Sequence, residues 1–280
     1  MTPVATGASV AARVARGAPA RPGVTFARAL AAEWTKLTSV AAHAWLALGT
    51  VVAAAGTAFG LGMFVRPDDG RSGSWVVVSG FVLAQLGFLV LGSLVATSEY
   101  TTGTARTTFV AVPRRLPVLG AQVLVTAGAA LLTALVALGA SYLATTSARA
   151  GDAPALDLSV PGTARALLGF VVVSAAVALL GLGLGALLRR PADALVVGVV
   201  LVVFGDYVLT MFPGPVADTV RALLPSSGAR LLQDDAALAG LDAVTRGPQL
   251  GAWGGGAVLA AWVLVLLGAA AYRLRRHDVR

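Results

Sequence analysis

Six runs of roughly twenty apolar residues each, parted by short polar segments, constrain this chain more than any other feature of it. A water-soluble helix keeps a polar face, and a 280-residue soluble core cannot hide that many unbroken apolar segments. The bilayer is therefore the solvent, and the expected fold class is an all-α integral membrane protein with six transmembrane helices. Composition agrees, with 12% charged residues against about 25% in an ordinary soluble domain. The spans are expected near 44–65, 75–97, 118–144, 163–188, 192–212 and 251–272. Residues 1–24 are rich in Ala, Pro, Gly and Arg and lack an apolar h-region. They read as a disordered cytoplasmic lead, which leaves 25–280 as the transmembrane domain.

Ahead of the first span, Phe26, Leu30, Trp34 and Leu37 fall within about 80° of one another at the helical period, with Arg28 and Thr35 on the far side. That pattern predicts an interfacial helix over Thr25 to Leu37. Glu33 sits at the edge of its apolar stripe. It can pair locally with Lys36 three residues on, or it can contact a partner. In the first span, Gly56 and Gly60 form a small-xxx-small pair that would let another helix approach. In the long segment Pro213 to Pro248, Val216, Val220, Leu223 and Leu224 repeat at helical spacing, so it is more than a polar linker.

Basic residues set the orientation. Of 21 Lys and Arg, Arg66, Arg71, Arg149, Arg165, Arg221, Arg230 and Arg246 fall on one side, and the other 14 fall on the side of the termini. Eight aspartates join the smaller basic set. The positive-inside bias places both termini in the cytoplasm, with the polar stretch Ser98 to Pro117 between spans two and three on the same side.

Chemistry is sparse. Cysteine is absent and histidine occurs only as His43 and His277, which removes thiolate chemistry and most metal or triad arrangements. No catalytic residue and no metal site is expected. A Walker A pattern is missing and Lys36 is the single lysine, so this chain binds no nucleotide of its own by that route. No serine–histidine or paired-acid arrangement within the spans supports an intramembrane protease. The net charge of +8 reads as membrane topology and lipid contact, not nucleic-acid binding, since basic patches interleaved with aromatics are missing.

Two polar features remain. In Ser98 to Pro117, Glu99, Gly103 and Arg106 stand at i, i+4 and i+7 and share a face on a continuous helix, where Gly103 also permits a bend. Pro113 ends any such helix, and Arg114 and Arg115 can meet lipid headgroups or an acidic partner groove. Alternatively Glu99 and Arg106 pair with each other and the arginine pair only fixes topology. The second feature is Asp206, the one acid within an expected span and away from its first turn, where Asp193 stands. Its central charge costs roughly 3 kcal/mol, against about −5 kcal/mol from the twelve Leu, Val and Phe residues of that span. It either reaches water at the span's end or lines a transport path.

Ala32-Glu33-Trp34-Thr35-Lys36-Leu37 before the first span, and Glu99-Tyr100-Thr101-Thr102-Gly103-Thr104-Ala105-Arg106 with Pro113-Arg114-Arg115 after the second, resemble the ABC-2 family of transporter permeases, in particular its short six-span subunits. Thr38 and His43 depart from that pattern. The resemblance implies a non-catalytic permease of the plasma membrane that dimerises with a second copy or a related permease. A separate ATP-binding subunit, which holds ATP and Mg, drives it. The helix containing Glu33, Trp34 and Lys36 is then an elbow. Glu99, Tyr100, Gly103, Arg106, Arg114 and Arg115 couple to the ATPase in a cytoplasmic coupling loop, and the loop before the last span forms short outer-side helices. Export of a hydrophobic or amphiphilic substrate follows from the resemblance; a non-transporting membrane scaffold or regulatory subunit is the alternative.

Overall fold

A computed structural model describes residues 25–101, 116–148, 154–212 and 214–276, and these are helical with no strand among them. The elements in order are α1 (Phe26–Ser39), α2 (Ala41–Phe64), α3 (Gly73–Val78), α4 (Phe81–Thr101), α5 (Leu116–Ala148), α6 (Thr163–Leu188), α7 (Pro191–Val199), α8 (Gly205–Thr210), α9 (Pro215–Leu223), α10 (Asp235–Val244) and α11 (Gly251–Arg276). A π-helical turn at Val200–Phe204 joins α7 to α8, and a 3₁₀ segment, Pro225–Leu232, follows α9. Six stretches are long and apolar enough to cross a membrane: Ala41–Phe64, Gly73–Ser98, Leu116–Ala148, Thr163–Leu188, Pro191–Thr210 and Gly251–Arg275. All six expected spans are present, with ends that differ by a few residues. The third is the longest, at 33 residues or ~50 Å of helix. It exceeds the ~30 Å hydrocarbon core, so its ends stand clear of it or it tilts.

The second and fourth spans form the centre, 72% and 67% buried, while the fifth is only 17% buried. Glycine makes that centre possible. A Cβ built on Gly92 would stand 1.8 Å from the Ala178 carbonyl oxygen, and one on Gly181 would stand 2.4 Å from that of Leu89. So α4 and α6 touch backbone to backbone, a contact favoured between membrane helices because lipid gives apolar side chains no hydrophobic reason to associate. Around it pack Phe88, Leu89, Phe170, Val177 and Leu180, all essentially solvent-free, with Phe81 set edge-on to Phe170 at 6.1 Å between ring centroids.

The second span is not one rod. It breaks at Ser79 and Gly80, where a glycine Cβ would lie 2.5 Å from the Ala54 carbonyl of α2. Ser79 Oγ donates to the Val76 carbonyl at 2.6 Å, and such Ser/Gly pairs are common kink sites. Gly56 and Gly60, by contrast, meet nothing within 4 Å; among the described residues no helix packs there.

Short connections fix the order of the helices. Arg189 ends α6 in the left-handed conformation at φ 59°, its N–H donating to Gly185 O at 2.8 Å, and Pro191 opens α7 at once. An Arg273 guanidinium N–H donates to Leu187 O, which sets the last turns of α11 beside the α6–α7 turn. At the opposite end, Asp235 N donates to Pro161 O at 3.2 Å, and Ser72 Oγ donates to Asp234. The segments 65–72, 154–162 and 211–250 thus share one end, as the charge count predicts. This acidic end and the basic end bearing α1 are the two poles of the molecule.

Candidate functional site

At the basic end, Thr25 caps α1, its Oγ1 accepting from Arg28 N at 3.4 Å. The helix runs two residues beyond its expected end, to Ser39. Of the apolar stripe, expected to face lipid or protein, Phe26 and Trp34 are both 45% exposed, whereas Ala29 and Glu33 beside it are buried. Small Ala29 lets α1 lie close against its neighbours, and the aromatics are left on the outer surface where an interface would receive them. Glu33 Oε1 accepts from Lys36 Nζ at 2.6 Å, the local pair expected from the i, i+3 spacing. Lys36 is itself partly exposed, so the bond joins a buried carboxylate to a half-solvated ammonium.

From there α1 is tied to two spans. His43 Nδ1 donates to the Leu37 carbonyl at 3.2 Å across the break at Val40, and Leu37 packs into the core. The Phe26 ring lies 3.5 Å from the point a Gly120 Cβ would occupy, which places the start of α1 on the first turns of α5. Those are the turns that the Ser98 to Pro117 segment feeds. Its two ends are helical: α4 continues through Thr101 and α5 begins at Leu116. Glu99 and Tyr100 fall in the last turn of α4. Gly103, Arg106, Arg114 and Arg115 lie outside the described residues. Leading to Glu99, Ser93 Oγ donates to Leu89 O at 2.8 Å and Thr97 Oγ1 to Ser93 O at 2.7 Å. These buried hydroxyls fold back on their own helix and need no partner from lipid.

At the acidic end, Asp206 does not stand alone. Its Oδ1 accepts from Arg221 Nε of α9 at 3.0 Å, and Arg221 Nη1 also lies 3.7 Å from Asp218 Oδ1. The acid within span five is thus charge-compensated from the segment beyond the span, and it is 38% exposed. With the guanidinium beside it, this carboxylate costs less to insert than an unpaired charge would.

A cap of short helices covers this end. The 3₁₀ segment drops between spans four and six: Ser227 O and Leu231 O press on Gly255 and Gly169, where a Cβ would come within 2.2 and 2.4 Å. Leu231 and Leu232 are buried there, whereas Val216, Val220 and Leu223 of the apolar repeat stay exposed. Arg165 Nη1 and Nη2 donate to Asp235 Oδ1 and Gln233 O, each at 2.7 Å. Arg230 pairs with Asp242, and Trp262 Nε1 donates to Leu223 O at 2.8 Å. None of Arg165, Arg221 and Arg230 was singled out from the sequence beyond its charge. The one local signal was Asp218 three residues before Arg221 on a helical pattern. No cluster of His, Asp and Glu with the makings of a metal site occurs among the described residues.

Comparison with protein-family models and with curated proteins returns no match for this chain.

Proposed function

We propose that this chain is the membrane-spanning permease subunit of an ATP-driven exporter of the ABC-2 type, embedded in the plasma membrane with both termini in the cytoplasm. A separate ATP-binding subunit, holding ATP and Mg, drives it, and a second permease copy or a related one completes the translocation unit. The cargo is hydrophobic or amphiphilic. One observation carries the reading: α1 lies against the first turns of α5, at the end where the Ser98 to Pro117 segment leaves α4 and joins α5. An elbow helix and a coupling segment at one pole form a unit on which an external engine can push.

The packing supports transmission from that unit. A push on the end of α4 passes to α6 through main-chain contacts at Gly92 and Gly181. Packed backbone has no side-chain rotamers to absorb the displacement. Glu99, Tyr100, Gly103 and Arg106 would take the force, with Arg114 and Arg115 as anchors to headgroups. Asp206 would serve the acidic end as a structural charge held by Arg221.

The test is reconstitution in proteoliposomes with an ATP-binding subunit that co-purifies with this chain. Glu99→Ala and Arg106→Ala should each reduce cargo export and cargo-stimulated ATP hydrolysis while insertion and yield stay unchanged. Full coupling in both variants removes these residues from the mechanism. If the ATP-binding subunit turns over ATP at the same rate with and without this chain, and no cargo moves, the chain is a scaffold instead.

A further inference from the structure

The acidic-end cap borders a half-open cavity of about 200 Å³ lined by Asp206, Asp218, Arg221, Ser226, Arg230 and Gln233 among others. At about 30 Å³ per water in the liquid, it has room for about half a dozen waters or one small solute. It lies where α8, α9 and the 3₁₀ segment meet, and it is independent of the exporter reading.

Both signs of charge are fixed in its wall. Arg221 is held by Asp206 at 3.0 Å, and Arg230 by Asp242 and by Gly251 O at 3.2 Å. A guanidinium has five N–H donors, so each arginine retains donors beyond these bonds. Asp218 Oδ2 accepts from Arg246 N at 2.9 Å, but its Oδ1 is 3.7 Å from Arg221, beyond hydrogen-bond length. That oxygen keeps acceptor capacity. Ser226 Oγ is buried without a hydrogen-bond partner, as are the hydroxyls of Thr126, Ser141, Thr163 and Ser174, but it alone among these belongs to a residue lining this cavity, where a ligand can satisfy it.

We infer that this cavity binds a small zwitterion, its ammonium group on Asp218 and its phosphate or carboxylate on Arg221, Arg230 and the Ser226 hydroxyl. An anion alone would face Asp206 and Asp218, and a cation alone would face Arg221 and Arg230. Only a ligand carrying both charges gains from both halves of the wall. The same chemistry exists as a lipid headgroup and as a free solute. Span five supplies Asp206, and its neighbours Phe204 and Tyr207 are 58% and 69% exposed, so the site stands beside the outward-facing surface of the bundle.

The experiment uses the full chain in nanodiscs made only of phosphatidylglycerol, titrated calorimetrically with glycerophosphoethanolamine, with ethanolamine alone and with glycerophosphoglycerol alone. The zwitterion should bind saturably and at least tenfold tighter than either single-charge probe. Ser226→Ala should weaken it about fivefold, the usual worth of one neutral hydrogen bond. Ligand-free melting should be unchanged or higher, since an orphan hydroxyl is removed. Asp218→Asn should weaken it about tenfold. Repeating the titration in nanodiscs containing phosphatidylethanolamine separates the sources. If the soluble probe is excluded, the occupant is a headgroup; if it still binds, the occupant is a free solute. The site is refuted if the zwitterion shows no saturable binding in phosphatidylglycerol discs, if a single-charge probe binds as tightly, or if Ser226→Ala retains wild-type affinity.

Discussion

Gly92 is the position where one methyl group should do the most damage. Its Cβ would stand 1.8 Å from the Ala178 carbonyl oxygen and 2.7 Å from Leu182 N. Carbon–oxygen contacts settle at about 3.3 Å or beyond, so Gly92→Ala forces α4 and α6 apart by roughly 1.5 Å. Neither contact can yield locally, because both opposing atoms are main chain. The separation also opens the flanking contacts at Gly181 and at Gly185, where a Cβ would be 2.9 Å from Ala96 Cβ. A gap of 0.5–1 Å already forfeits about a quarter to a half of each dispersion contact. Overpacking ordinarily costs about 1–3 kcal/mol, and with the two most buried spans displaced we expect the upper end, about 3 kcal/mol. At roughly 2–4 °C per kcal/mol for a chain of this size, melting should fall by about 6–12 °C. Heating the purified chain in detergent and measuring the surviving monodisperse peak by fluorescence-detected size exclusion reads this directly. Gly128→Ala is the control. That glycine lies in α5 with nothing within 4 Å of its would-be Cβ, and its replacement should leave melting unchanged or raise it through helix propensity, worth up to about 1 kcal/mol. If Gly92→Ala melts with the wild type, or Gly128→Ala falls as far, close backbone contact is not what holds the centre together.

Three further outcomes follow from individual groups. Arg165→Ala removes both bonds to the cap, at Asp235 and at Gln233 O, and should cost about 1–2 kcal/mol and speed limited proteolysis within 233–250. Asp235→Ala, whose side chain is 53% exposed, should do less, and equal sensitivity of the two would show that the backbone bond contributes nothing. Thr126 Oγ1 is buried without a hydrogen-bond partner, so Thr126→Val, equal in shape, should leave melting unchanged or raise it; a drop would mean that the hydroxyl has a bonded partner in the membrane. Asp157, exposed on the acidic side, is held below its ordinary carboxylate range by hydrogen bonds from the Ser159 side chain and backbone. Because the shift is downward, its contribution to the 157–160 turn is complete above the ordinary carboxylate range and is lost only as pH falls through the lowered value. Amide exchange at Ser159, corrected for its intrinsic rate, should therefore stay flat through mildly acidic pH; acceleration near the ordinary carboxylate range would contradict the bond.

How far the sequence reaches depends on the range of the physics involved. Span number and parity were legible because hydrocarbon demands apolar runs of a set length and the charge asymmetry repeats at every connection. The Glu33–Lys36 pair was legible because i, i+3 geometry is local. Burial around α1 was not, because the angular stripe gives equal weight to every apolar residue. Ala29 and Glu33 are buried while Phe26 and Trp34 stay 45% exposed, and in a membrane a bulky apolar side chain gains as much from lipid as from a neighbouring helix. The same inversion explains the glycines. Gly56 and Gly60 have the spacing of an association motif yet touch nothing, whereas Gly92 and Gly181 carry the central crossing, and spacing alone does not distinguish them.

Asp206 shows where a long-range partner could have been found. Pro213, Gly214 and Pro215 are strong turn formers set just after the span, so the helical pattern beyond them has to double back toward it. Arg221 lies two turns into that pattern, as far from the reversal as Asp206 lies before it. An acid and a base at matched distances on either side of a proline–glycine turn are placed to meet, and they do, at 3.0 Å. The charge count had assigned Arg221 to topology alone. Its position relative to the reversal carries the further information that the acid within span five is balanced from the segment that follows it.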